Sequence, residues 1–209
     1  MAVVPAVDPR GLLATRAQSV GSRLEPRRAA DNMRLVPAPD APTDQPMTDE
    51  DPKREAIARG LGRLPSGLYV LTAGRGDAAT GMLASWVQQV GFEPPTVVVA
   101  LKKGRPIEAL VRSEGAFCLA VLDDDSKHLL RHFARGFEPG TPAFDGVDVA
   151  TSSVGTPYPT AAHAHIVCVV RSIADDWCDH CVVCAEVVGG DGEPGRQPLV
   201  HVRKNGFSY

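Results

Sequence analysis

The chain has 209 residues, of which 44% are hydrophobic and 22% charged, a composition typical of a globular protein with one sizeable core. Its formal net charge of −3 provides no global positive field, so we expect no nucleic-acid partner. No apolar run approaches the roughly 18 residues that a membrane-spanning helix needs, so no membrane partner is expected either.

Residues 1–46 differ in composition from the rest of the chain. All eleven aromatic residues lie at or after Tyr69, whereas seven of the eighteen prolines fall within 1–46. Such a segment buries too little apolar surface to offset its ordering entropy, so we predict a disordered extension, 1–46, followed by one domain, 47–209. Two alternatives stay open, namely an Arg-rich targeting peptide and a natural start at Met47. The segment lacks a continuous apolar stretch, and we expect a cytoplasmic protein.

The predicted elements begin with a helix capped by Thr48 or Asp49, with Pro52 in its first turn. Short apolar runs bounded by Gly, Pro and Asp then predict seven strands. They lie near 67–73, 81–90, 96–101, 116–122, 163–174, 181–188 and 198–202. Two helices interrupt them, at about 105–113 and 126–134. Because strands and helices do not alternate regularly, the order favours a mostly β, antiparallel barrel with a few peripheral helices.

Common nucleotide-binding and hydrolase motifs are missing from the sequence. Gly74-Arg75-Gly76 lacks the third glycine of a dinucleotide fingerprint and is typical of a hairpin turn. There is no GxxxxGK[ST], GxSxG or HExxH motif. The sequence therefore does not favour a P-loop protein, a serine hydrolase or a metalloprotease.

Three of the five cysteines cluster in the segment 177–184, where Cys178, Cys181 and Cys184 form two overlapping CxxC steps. Zinc binding and a redox disulfide are both conceivable there. On a strand, however, Cys181 and Cys184 point to opposite faces and do not converge on one metal. We therefore predict no metal site and expect buried free thiols that pack as small apolar residues.

Several segments resemble the flavin reductase family. They are PSGLYVLTA at 65–73, GMLASWVQQV at 81–90 and FEPP at 92–95. Stretches 82–86, 102–106 and 132–144 are similar to the flavin reductase-like domain at the C-terminus of flavodiiron proteins of oxygenic phototrophs, and 198–209 follows in the expected order. The resemblance covers roughly 55–209. It implies an FMN-binding split barrel, a homodimer in which the partner completes the flavin site, and a stand-alone version of the reductase domain.

The residues themselves suggest where a flavin would bind. Small residues and a hydroxyl in the stretch 81–86 let a strand backbone approach a flat ring. Cations that precede a helix would meet the FMN phosphate, since helix N-termini attract anions. The expected cofactor contacts are Met82, Leu83, Ala84, Ser85, Trp86, Lys102, Lys103, Arg105 and Phe133. Plainer interpretations remain open for them: a solvated basic loop for the lysines, a backbone-bonded hydroxyl for Ser85 and a core position for Trp86.

The resemblance also suggests the site of chemistry. In the family, a Gly-Asp-His segment lies where nicotinamide and flavin meet, and this chain has Cys178, Asp179 and His180 there. We expect Asp179 and His180 to serve catalysis, although Cys in place of Gly puts the loop conformation in doubt. The predicted function is hydride transfer from NAD(P)H to FMN, with electrons then passed to an acceptor. Alternatives are a flavin carrier or sensor without NAD(P)H turnover, and a barrel for haem or another cofactor.

Overall fold

The computed structural model describes residues 51–138 and 140–207. The predicted disorder of 1–46 and the capping roles of Thr48 and Asp49 therefore lie outside the described residues. The first helix, α1, spans Pro52–Leu61, and its cap is Asp51, whose side chain accepts a hydrogen bond of 2.8 Å from the Lys53 backbone N–H. Pro52 suits the first position of the helix because the N–H that proline lacks would be unpaired there.

Strands dominate the rest of the chain, as predicted. They are β1 (Ser66–Gly67), β2 (Tyr69–Ala73), β3 (Thr80–Ala84), β4 (Val87–Phe92), β5 (Pro95–Lys102), β6 (Ala116–Val121), β7 (Val149–Thr151), β8 (Pro157–Pro159), β9 (Ala164–Ala174), β10 (His180–Gly192) and β11 (Val200–His201). Helix α2 (Pro106–Glu114) lies between β5 and β6, and α3 (Lys127–Phe133) follows β6. The hairpin of β7 and β8 was not predicted, and the predicted strand 81–90 is two strands, β3 and β4.

The main sheet has seven antiparallel strands in the order β3-β2-β6-β9-β10-β5-β4. Its two edge strands, β3 and β4, are joined only by Ser85 and Trp86. A flat sheet of seven strands about 4.8 Å apart would separate its edges by about 29 Å. The three Cα steps from Ala84 to Val87 span at most about 11 Å. The sheet must therefore curl into a barrel that stays open between β3 and β4, as the antiparallel split barrel requires.

Apolar side chains are buried on both faces of this curled sheet. On β2, Leu71 belongs to the larger core cluster with Val99 and Phe117, while its neighbour Val70 belongs to a second cluster. Adjacent strand residues point to opposite faces, so the two clusters lie on the two sides of β2. The second cluster contains the fully buried Phe133 of α3. Helix α3 is therefore packed on one face of the sheet.

A buried carboxylate ties the C-terminal part of the chain to the start of α3. Asp123 accepts hydrogen bonds from the Ser126 hydroxyl (2.7 Å) and backbone N–H (3.0 Å), and it forms an ion pair with Arg196. Burial alone would raise the pKa of Asp123, but the Ser126 hydrogen bonds and the Arg196 charge outweigh it and lower that pKa. A β-bridge from Asp123 to Pro198 completes the link.

Among the described residues, no helix has both the length and the apolar character needed to cross a membrane.

Candidate functional site

A cavity of about 400 Å³ lies at the open seam of the barrel, within the range of small-molecule sites. One wall is strand β3, the floor includes the end of β5 and the start of α2, and the far side is the loop that follows α3. The lining residues are Leu68, Thr80, Gly81, Met82, Leu83, Ala84, Ser85, Trp86, Ala100, Lys102, Arg105, Pro106, Ile107, Leu130, Ala134, Arg135, Gly136, Phe137, Glu138 and His201.

Seven of the nine predicted cofactor contacts line this cavity. They are the consecutive stretch Met82, Leu83, Ala84, Ser85 and Trp86, together with Lys102 and Arg105. The stretch reaches the cavity because β3 is an edge strand and the chain leaves the sheet at Ser85 before starting β4.

Lys103 is placed differently from the prediction. Its ammonium donates hydrogen bonds to the backbone carbonyls of Asp175 and Cys178, the latter at 2.6 Å. Its own N–H donates to the Asp179 carbonyl at 3.1 Å. Lys103 therefore lies against the loop 175–179 and, unlike Lys102 and Arg105, does not line the cavity.

Phe133 is likewise a core residue and not part of the lining. It is fully buried and packs behind β3, where a Cβ added at Gly81 would lie 2.7 Å from its ring. Its ring thus lies behind the wall of the cavity, and Phe133 does not line the cavity itself.

Four further residues that no sequence motif distinguishes belong to the lining. Arg135, Phe137 and Glu138 come from the loop after α3, and His201 comes from β11. The resembling stretches 132–144 and 198–209 already included these positions, but neither periodicity nor a motif distinguished them. Gly136, with φ of +69°, lets the loop turn toward the cavity.

Positive charge gathers where α2 begins. Lys102 and Arg105 line the cavity next to the first residue of the helix, Pro106. A buried carboxylate, Glu108, accepts a hydrogen bond of 3.1 Å from the Gly104 N–H and is paired with Arg112. Because Arg112 neutralises Glu108, the helix N-terminus and the two cations remain attractive to an anion.

The predicted catalytic pair lies beside the cavity. His180 is buried, its Nδ1 lies 2.8 Å from the Asp179 carboxylate, and Asp179 itself is exposed. The hydrogen bond with His180 lowers the pKa of Asp179, with a further contribution from the charge of Lys102. The ring of His180 lies 4.8 Å from that of Trp86, a lining residue. Neither member of the pair lines the cavity directly.

The cysteines divide into buried and accessible thiols, all five of them free. Cys118, Cys168 and Cys181 are buried, and burial raises the pKa of Cys168 to about 12. Cys178 is exposed, so the prediction of buried thiols is wrong at this position. Cys181 packs into the larger core cluster, whereas Cys184 is half-buried. Among the described residues, no group of three His, Cys, Asp or Glu side chains is arranged to hold a metal.

The lining suits a flat ring with an anionic tail. Its wall combines apolar side chains with small residues, Gly81, Ala84 and Ser85, that allow a ring to approach the backbone. Thr80 is also part of the lining, and its buried hydroxyl has no hydrogen-bond partner among the described residues. A ligand with a polar atom within reach of this hydroxyl would satisfy it. The cations lie at the α2 end, where a phosphate would be placed.

Comparison with known proteins identifies the family. The sequence pattern described as "Flavin reductase like domain" matches residues 61–208. "Diflavin flavoprotein A 1" of Synechocystis sp. is 37% identical over 155 residues, which are 73% of this chain and 27% of that protein. "Putative diflavin flavoprotein A 3" of Nostoc sp. is 39% identical over 155 residues, with the same coverage. The chain thus spans about a quarter of the length of these relatives.

Solved structures agree with this match. The NADH:FAD oxidoreductase SgcE6 of Streptomyces globisporus has a TM-score of 0.66 and 26% identity, over 77% of this chain and 95% of that one. A structure of SgcE6 in complex with NAD and FAD fragments has a TM-score of 0.63 and 28% identity, over 72% and 89% of the two chains. The sequence pattern, the relatives and the antiparallel split barrel agree, and the chain belongs to the flavin reductase-like domain family.

Proposed function

We propose that this chain is an FMN-binding oxidoreductase in which NAD(P)H passes a hydride to the flavin and the reduced flavin passes electrons to an acceptor. The observation that carries the proposal is the cavity at the barrel seam, whose apolar wall on β3 ends at two cations beside the start of α2. The names of the similar structures, which include NADH and FAD, support flavin and nicotinamide as the ligand classes.

In this proposal β3 supplies the wall for the ring. Backbone groups of Met82 to Ser85 are within reach of a ring edge at an unpaired sheet edge, since β3 pairs only with β2 among the described strands. Lys102 and Arg105 would hold the phosphate. The bound flavin supplies the hydride-accepting chemistry, which no side chain of the protein can provide.

Asp179 and His180 would place the nicotinamide. The Asp179 carboxylate fixes the orientation of the His180 ring through the Nδ1 contact of 2.8 Å. The imidazole lies 4.8 Å from the ring of Trp86, so it is one residue away from the cavity lining. Such groups contribute by orientation, and loss of orientation can lower a rate by orders of magnitude.

A homodimer belongs to the same proposal. Strand β4 is a sheet edge that carries Phe92, 88% exposed, and the exposed Val90. An apolar edge strand of this kind invites pairing with another chain. The mass of the protein in solution tests this part, and a monomer that binds flavin fully would contradict it.

The proposed function is tested by mixing the protein with FMN and either NADH or NADPH without oxygen, and following the loss of nicotinamide and oxidised-flavin absorbance. His180→Ala should lower the rate of flavin reduction at least about tenfold and leave the FMN Kd within a few-fold. His128→Ala, on the exposed face of α3, is the matched control. Flavin binding without any reduction by either nucleotide would refute the oxidoreductase and favour a flavin carrier or sensor.

A further inference from the structure

Arg203 is a buried arginine for which the described part of the chain provides no acidic partner. The residue is only 7% exposed. Its Nε is buried without a hydrogen-bond partner among the described residues, and none of the ion pairs within them involves Arg203. A buried guanidinium without a carboxylate is costly unless another group compensates its charge. Arg203 therefore needs an explanation in its surroundings.

The compensating group is an aromatic face. The guanidinium carbon of Arg203 lies 4.9 Å from the centroid of the Trp86 ring. The indole of tryptophan is the best cation–π partner among the side chains, and the interaction strengthens when it is removed from water. The contact joins the C-terminal segment to a residue of the cavity wall, and the same indole contacts His180.

The backbone next to Arg203 contacts two other segments of the chain. Strand β11 pairs with β1 through Ser66 and His201, two residues before Arg203. At the end of α1, a Cβ added to Gly62 would lie 3.2 Å from the Arg203 carbonyl oxygen, so the two backbones are in close contact. Arg203 thus belongs to a segment that contacts both β1 and the end of α1.

Trp86 lies in the two-residue link between β3 and β4, outside both strands, where its carbonyl accepts a hydrogen bond of 3.0 Å from the Ala100 N–H. Its ring is in contact with the guanidinium of Arg203 and the imidazole of His180. These side-chain contacts favour one orientation of the indole.

We propose that Arg203 is a positioning residue that fixes the orientation of the Trp86 indole, and thereby the shape of the cavity wall next to His180. The effect on flavin rests on the proposed function, whereas the effect on the indole does not. Arg203 itself does not line the cavity and acts through Trp86.

The indole can be observed directly, since the chain contains only two tryptophans. In a Trp177→Phe background, all tryptophan fluorescence comes from Trp86. Without flavin, Arg203→Met should raise acrylamide quenching of Trp86 at least about twofold, and Arg203→Lys about 1.5-fold, because an ammonium lacks the planar face that stacks on an indole. The control Arg63→Met, at an exposed arginine, should leave quenching unchanged. Circular dichroism identifies variants that fail to fold. If Arg203→Met folds and its quenching is unchanged, the proposal is overturned. If Arg203→Met does not fold, unchanged quenching in Arg203→Lys overturns the proposal instead.

A double-mutant cycle then tests the action on the cavity. Arg203→Met and Trp86→Phe should each weaken flavin binding, and the double variant should be no weaker than Trp86→Phe alone, because Arg203 acts through the indole. Additive losses would overturn the positioning role. If the wild type binds no flavin at all, the proposed function fails, and the quenching experiment still decides whether Arg203 orients Trp86.

Discussion

Removing the positive charge of Lys102 or Arg105 should weaken FMN binding, whereas removing that of Lys103 should not. The first two line the cavity beside α2, and the ammonium of Lys103 donates to the carbonyls of Asp175 and Cys178 instead. Substitution by methionine retains most of the aliphatic chain and deletes the charge. The neighbouring Lys103→Met is thus a control matched in residue type and position.

The expected loss follows from the exposure of the two cations. A hydrogen bond to a charged group contributes about 1.5–3 kcal/mol when it is well shielded. Lys102 and Arg105 are exposed, so solvent and salt reduce this to about 1–2 kcal/mol for each side chain. Since each 1.4 kcal/mol is tenfold in affinity, the Kd for FMN should rise about 5- to 30-fold in each variant.

The assay is a titration of flavin fluorescence, with FMN and with riboflavin, at low and at moderate salt. Riboflavin lacks the phosphate, so its affinity should be the same in Lys102→Met, Arg105→Met and the wild type. The loss for FMN should also shrink as salt is added. An equal loss for riboflavin, or an equal loss for FMN in Lys103→Met, would refute the assignment of the phosphate to this end of the cavity.

Three further predictions concern the scaffold. Gly81→Ala should destabilise the fold by about 1–3 kcal/mol in urea denaturation, because its Cβ would lie 2.7 Å from the Phe133 ring, and Phe133→Leu in the same chain should relieve part of that loss. Asp123→Asn should lower the free energy of unfolding by a constant amount above about pH 5, and the difference from the wild type should shrink as the pH falls below about 4. The reason is that a carboxylate with a lowered pKa stabilises the fold only while it is ionised. Ellman's reagent at pH 8 should react rapidly with the exposed Cys178 and slowly with the buried Cys168, so that Cys178→Ser removes the rapid phase.

The strands could be predicted because short apolar runs between turn residues are a local signal. The order of these strands and the helices along the chain favoured the antiparallel arrangement. The division of 81–90 into β3 and β4 was not predictable from the same signal. No glycine or proline interrupts the apolar pattern at Ser85 and Trp86. The break arises because β3 and β4 are opposite edges of a seven-stranded sheet, a property of the whole topology.

The residues predicted from one strand line the cavity together, and the other predicted contacts are divided. Residues 82–86, singled out from their composition, all line it, whereas of the neighbouring cations Lys102 and Arg105 line it and Lys103 does not. The sequence cannot say which of Lys102 and Lys103 faces the cavity, because the turn after β5 decides it. The helical spacing of Phe133 and Leu129 predicts a core position for both, and the structure buries both side chains.

The two ends of the proposed site are held together by one set of contacts. Lys103 bonds to the carbonyls of the loop 175–179, and Arg112 of α2 pairs with Asp175 at 2.7 Å. The same arginine binds Glu108, which in turn accepts from the N–H of Gly104. The loop that leads to His180 is thereby fixed to the start of the helix that would hold the phosphate.

This coupling gives Lys103 a role distinct from the predicted one. Hydride transfer requires the two rings to be placed to within a fraction of an ångström, and a small misplacement can lower the rate about 100-fold. Lys103→Met frees the loop from β5 without removing a cation from the cavity. We therefore expect a slower reduction of bound flavin by NAD(P)H at an FMN affinity within about twofold of the wild type, the opposite of the result for Arg105→Met. Stopped-flow reduction at saturating FMN measures the rate. An unchanged rate in Lys103→Met would mean that the loop 175–179 does not position the nicotinamide, and the role assigned to His180 would lose its structural basis.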